Sequence, residues 1–138
     1  MSRIVYNADD LKIMALFEKV AGTRLKDYFV DENSLMTFVV DEVNVGKAIG
    51  KQAANVRRLE LMLKRKIKIL GFNQDPKKFL KNLLYPLTVE VEGDDVLIIK
   101  AQDSKTKAFA IGRNQSNIKN NLGIMNKYFK EIKEIKVM

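Results

Sequence analysis

The sequence predicts an α+β chain made of two similar units, each with the element order αββααβ. One stretch occurs twice. Residues 48–58 read AIGKQAANVRR and residues 110–120 read AIGRNQSNIKN, sharing Ala48/Ala110, Ile49/Ile111, Gly50/Gly112 and Asn55/Asn117. Around each copy, helical and strand periodicities follow one another in the same order. The charge follows the same division. Residues 44–72 carry eight basic side chains and one acidic, and residues 100–138 carry nine and three, whereas 1–43 and 73–99 are net acidic.

In chain order, Asn7 or Asp9 can cap a first helix over about 9–21, where Leu11, Met14, Ala15, Leu16 and Val20 recur at helical spacing and Gly22 ends it. Arg24 to Val30 reads as a strand, the polar run Asp31-Glu32-Asn33-Ser34 as a turn, and Leu35 to Val40 as the second arm of a hairpin. A short helix follows near Val45 to Ile49, then the Gly50 loop. A longer helix runs to about Leu63 with Val56, Leu59 and Leu63 inward. Ile67 and Ile69 alternate with Lys66 and Lys68, which predicts a half-exposed strand ending near Phe72.

The join at 71–74 is short and lacks a Ser/Gly tract, so the expected domains are 1–72 and 73–138. Asp75 caps the next helix with Pro76 at its first position; Phe79, Leu80, Leu83 and Leu84 form its buried stripe, and Pro86 stops it. Leu87 to Val91 alternates, Gly93-Asp94-Asp95 turns, and Val96 to Ala101 is the second strand. Asp103 or Ser104 caps a short helix ending at Ile111. Ser116 opens the long one after the Gly112 loop, and Glu131 to Val137 reads as the last strand. The Met and Phe residues fall at helical or strand spacing and are assigned to the core. Gly123 sits inside the second long helix against its propensity, which would allow close packing against the first unit.

Composition excludes much chemistry. No Cys and no His means no disulfide, no thiol nucleophile, no thiolate or imidazole metal site and no imidazole base. Neither a dinucleotide fingerprint nor a GxxxxGK[ST] loop occurs, and the acidic pairs fall at turns or strand ends. The expectation is a non-enzyme with no cofactor, metal or small-molecule substrate. No apolar run approaches the length needed to span a bilayer, and the first ten residues, MSRIVYNADD, lack a signal-peptide core, so a cytoplasmic protein is expected. Formal net charge is +8. Its concentration around the loops points to polyanions, and to nucleic acid over a membrane, since no basic helix has an interfacial anchor's aromatic and Leu-rich face.

Each loop has the same mechanics. A glycine turns the chain, a basic residue follows (Lys51 or Arg113), and a helix begins whose first N–H groups and dipole favour an anion. Conservative pairs Val56/Ile118 and Arg57/Lys119 extend the match.

An αββααβ unit with a [VI]-G-x-x-G-type loop between its last two helices resembles a type II KH domain. Two in tandem, with VGKAIGKQAANVRRLELMLKRKIKIL around the first loop and AFAIGRNQSNIKNNLGI around the second, resemble the paired KH region of NusA-like transcription factors, in particular the short archaeal form. The resemblance implies a three-stranded mixed sheet packed on helices in each unit. It also implies single-stranded RNA held by its backbone at the loops, with bases in an apolar groove. Carried onto this sequence, the loop positions are Gly50, Lys51, Gln52 and Ala53, and Gly112, Arg113, Asn114 and Gln115. Ile49, Val56, Ile111 and Ile118 would line the groove floor, with a core role the competing reading for Val56 and Ile118. Lys51, Arg57, Arg113 and Lys119 would meet phosphates.

The family loop has glycine at both ends, whereas here the second position is Ala53 or Gln115. If that position needs a positive φ, these residues carry strain or force another turn, and the cations carry more of the affinity. Asn114 and Gln115 could compensate with amide hydrogen bonds. The implied role is transcription elongation or termination, with RNA polymerase a further partner. The alternatives are a ribosome-associated or RNA-processing KH protein, and a docking module whose altered loops no longer hold RNA.

Overall fold

The computed structural model describes residues 6–138, so residues 1–5 of the N-terminal stretch lie outside the described residues. The chain divides between Phe72 and Asn73 into two compact units. The first contains α1 (Ala8–Ala21), β1 (Asp27–Val30), β2 (Met36–Asp41), α2 (Val45–Ile49), α3 (Ala54–Leu63) and β3 (Ile67–Phe72). The second repeats the order with α4 (Pro76–Leu84), β4 (Val89–Gly93), β5 (Val96–Ala101), α5 (Ser104–Ile111), α6 (Ser116–Tyr128) and β6 (Glu134–Val137).

Each unit has one three-stranded mixed sheet. The hairpin partners are antiparallel (Phe29 opposite Thr37; Val91 opposite Ile99) and the last strand is parallel to the middle one (Phe38 opposite Ile69; Ile98 opposite Lys136). Parallel neighbours need a crossover, since no tight turn can join them. The helix–loop–helix is that crossover, so the fold itself places a glycine loop once in every unit.

The caps follow the sequence. Asn7 closes a capping box with Asp10: its Oδ1 accepts from the Asp10 N–H at 2.8 Å, and the Asp10 carboxylate accepts from the Asn7 N–H at 3.0 Å. Gly22 ends α1 in the left-handed region, Asp75 caps α4 with Pro76 at N1, and Asp103 caps α5.

In the first core, Phe17 of α1 stacks on Phe38 of β2 with ring centroids 4.4 Å apart. Tyr28, Met36, Val40, Ala48, Leu59 and Ile67 complete it. In the second, the expected α4 stripe Phe79, Leu80, Leu83 and Leu84 is buried, and Phe79 meets Tyr128 edge-on at 5.5 Å.

Three strands begin later than their periodicity predicts, each because local hydrogen bonds take the first residues. The Leu25 N–H donates to Glu18 of α1 at 2.8 Å, so β1 starts at Asp27 rather than near Arg24. The Leu87 N–H turns back to the Leu84 carbonyl, delaying β4 to Val89. The Asn126 amide donates to the carbonyls of Phe129 and Ile132, which holds 129–132 as a turn before β6.

Lys68 is half-buried rather than solvated, because β3 lies beside a β2 whose residues Met36 to Val40 are buried on both faces. That burial pulls its ammonium below the usual lysine range. A Cβ added to Gly123 would meet nothing of its own unit within 4 Å.

Candidate nucleic-acid interface

The two loops have the same backbone conformation, residue for residue. Gly50 sits at φ 81°, ψ 167° and Gly112 at φ 75°, ψ 170°, a region essentially restricted to glycine. Two consecutive left-handed residues follow: Gln52 and Ala53 at φ 55° and 60°, Asn114 and Gln115 at φ 55° and 63°. Of the two outcomes open to Ala53 and Gln115, strain is the one realised. The turn is kept without its second glycine, at about 1–2 kcal/mol per non-glycine residue.

Hydrogen bonds hold the turn. The Ala53 N–H donates to the Gly50 carbonyl at 3.1 Å, and the Gln115 N–H to the Gly112 carbonyl at 3.2 Å. Asn55 and Asn117, shared by the repeat, have a matching task. The Asn55 Nδ2 donates to the Lys47 carbonyl at 3.3 Å and the Asn117 Nδ2 to the Phe109 carbonyl at 2.7 Å, tying the long helix to the end of the short one. Ala48 and Ala110 are buried beneath the loops. Every identity of the repeat other than isoleucine thus has a mechanical reason.

Neither long helix has a side-chain cap: Ala53 and Gln115, at the N-cap positions, accept nothing from the first turn. Around these helix starts, Lys51, Gln52, Arg57, Arg113, Asn114, Gln115 and Lys119 are exposed. Ile49, Val56, Ile111 and Ile118 are half-buried, and Val56 packs against the first core while keeping part of its surface in solvent. In each unit, short segments of chain thus bring together the expected glycine, cations and aliphatic residues.

Three of the Met and Phe residues assigned to the core are exposed instead: Met62, Met138 and, beside the loop, Phe109. Phe109 is 66% exposed, on the last turn of α5 just before the loop, at the position Lys47 occupies in the first unit. Spacing alone cannot separate it from a core phenylalanine; its alignment with a lysine in the other copy was the available signal. Among the described residues no cluster of His, Cys, Asp or Glu could hold a metal ion, and no helix is long and apolar enough to cross a membrane.

Two mixed sheets, each crossed over by a helix–glycine loop–helix, define a tandem KH-like protein. No family model matches the chain. It is 30% identical over 141 residues to the probable transcription termination protein NusA of Methanococcus vannielii, covering 99% of this chain and 80% of that protein. To the protein of the same name from Methanocaldococcus jannaschii it is 27% identical, covering 100% of this chain and 77% of the other. The chain belongs to the NusA family. Its fold is also that of the crystal structure of APE1850, with a TM-score of 0.73 at 24% identity over 96% of this chain and 100% of that one.

Proposed function

We propose that this protein is a non-enzymatic, cytoplasmic, single-stranded RNA-binding factor of transcription elongation or termination, with residues 1–72 and 73–138 as its two KH domains. The observation that carries the reading is the repeated loop: one backbone conformation, held in both units despite strain at Gln52, Ala53, Asn114 and Gln115. Strain retained at matching positions is a mark of function.

In this reading the loop sets a phosphate against an uncapped helix start, where backbone N–H groups and the helix dipole meet negative charge. Lys51 and Arg57 add cations in the first unit, Arg113 and Lys119 in the second. Bases lie over Ile49 and Val56, or Ile111 and Ile118, whose half-buried surfaces offer apolar contact. Phe109 adds an aromatic face that the first unit lacks. Its place at the rim of the loop suits stacking on one base. The relatives, named as probable transcription termination proteins, support the transcription role. RNA polymerase is a further partner in this reading.

Fluorescence anisotropy with a labelled single-stranded RNA, titrated at increasing salt, tests the reading. Each phosphate neutralised contributes a log–log slope of about −0.7, so affinity should fall steeply with salt. Affinity indifferent to salt, or no binding at low salt, would remove RNA and favour a protein-docking role.

A further inference from the structure

Beyond the loop, α3 carries a second basic feature that its counterpart α6 keeps only in part. Arg57 and Leu61, at i and i+4, share one face of α3, and Lys64 follows at its left-handed C-cap. With Glu60, Arg65 and Lys66 they line an open depression of about 460 Å³.

The single carboxylate of this depression is engaged. Glu60 accepts from the Ile67 N–H at 3.1 Å and lies 4.0 Å from the Lys66 ammonium. Arg65 is fixed by donating to the Ser34 carbonyl at 2.8 Å. Among the described residues no carboxylate pairs with Arg57, Arg58 or Lys64. Leu61 stands between the cations with 79% of its surface exposed.

The second unit keeps only part of this. Lys119, Gly123 and Asn126 align with Arg57, Leu61 and Lys64, and Lys127 with Arg65. The exposed leucine and the cation after it are therefore missing there, and the Asn126 amide in the place of Lys64 is spent on two backbone carbonyls. An apolar side chain flanked by cations is thus confined to the first of two otherwise matching helices.

We propose that this depression is a second RNA phosphate site, which continues a strand from the Gly50 loop along α3. The inference rests on the RNA reading above and extends it. Arg57 belongs to both the loop surroundings and the depression, so the two are continuous. An exposed leucine between cations suits a nucleotide, whose sugar and base offer apolar faces beside a charged backbone. The first unit would then hold a longer stretch of RNA than the second.

The test uses the full chain with Leu61→Gln/Lys64→Asn, two changes at exposed positions. Asparagine tolerates the left-handed conformation of Lys64, and circular dichroism checks the fold. RNAs of about four and about twelve nucleotides are compared by anisotropy, the shorter matching one KH groove. The short RNA should bind both proteins alike. The long RNA should bind the variant about fivefold more weakly, with its salt slope reduced by about 0.7, one phosphate. Equal affinity of the long RNA for both proteins overturns the site alone. Failure of both RNAs to bind the wild type overturns the RNA reading and the site with it. A variant that binds the long RNA normally but loses a polyglutamate peptide overturns it in favour of an acidic protein segment.

Discussion

A Cβ added to Gly50 would lie 2.9 Å from the side-chain Cγ of Asn55 and 3.1 Å from its backbone nitrogen, and Gly112 stands in the same relation to Asn117. The glycine is therefore required twice, by its backbone angles and by the asparagine that locks the loop. Gly50→Ala should destabilise the protein by about 2–3 kcal/mol, from a glycine-only conformation and the contact with Asn55. Urea unfolding measures this. A loss below about 0.5 kcal/mol would mean the loop can take another shape.

Ala53 and Gln115 occupy left-handed positions that glycine fills without strain. Ala53→Gly and Gln115→Gly should each stabilise the fold by about 1 kcal/mol, the relief of strain less glycine's entropy cost in the unfolded chain. RNA affinity should hold or rise, since the turn is unchanged. A destabilised variant would show that these side chains make contacts outweighing the strain.

Phe109 is exposed where a core phenylalanine would be buried. Its replacement by alanine should leave unfolding unchanged within about 0.5 kcal/mol, as for an exposed site. RNA binding should weaken by about 1–3 kcal/mol, the worth of one stacked base. Anisotropy and thermal unfolding on the same samples separate the two. Unaltered RNA affinity would leave Phe109 without a binding role.

Tyr6 donates its hydroxyl hydrogen bond to the buried Asp27 carboxylate. Burial first, and then that bond, push its pKa from 10.0 up to about 12. The protonated form is the one the folded state favours, so the contribution is fully present below about pH 10, the unfolded value. It is lost as pH rises toward the folded value. Tyr6→Phe should therefore be less stable than wild type at pH 8, by about 1 kcal/mol for one hydrogen bond. The gap should close between about pH 10 and 12. A gap that stays constant across that window would dissociate Tyr6 from the alkaline transition.

Much of this architecture was legible in the sequence because local signals agreed. Asn7 and Gly22 bound α1, Asp75-Pro76 opens α4, and Val96 to Ala101 appears as β5 within the bounds its residues predict. What periodicity could not carry was competition from side chains: Glu18 takes the Leu25 N–H and Asn126 takes two carbonyls, so strands start late. The repeat displayed Asn55 and Asn117 as identities, yet their task depends on reaching carbonyls eight residues back. The loop residues were visible as a motif, but the backbone angles of Gln52 and Asn114 were not, since neither residue type demands a positive φ. Phe109 was hidden by its helical spacing.

The central claim is that both glycine loops hold single-stranded RNA. Anisotropy with a short single-stranded RNA should compare the wild type with Lys51→Asp/Gln52→Asp and Arg113→Asp/Asn114→Asp, all four positions being exposed. Circular dichroism confirms folding. The account predicts that the wild type takes up two short RNAs and each variant only one, and that the protein carrying all four changes binds at least about tenfold more weakly, a change of about 1.4 kcal/mol. Equal binding by all four folded proteins, or no binding by the wild type, would contradict it.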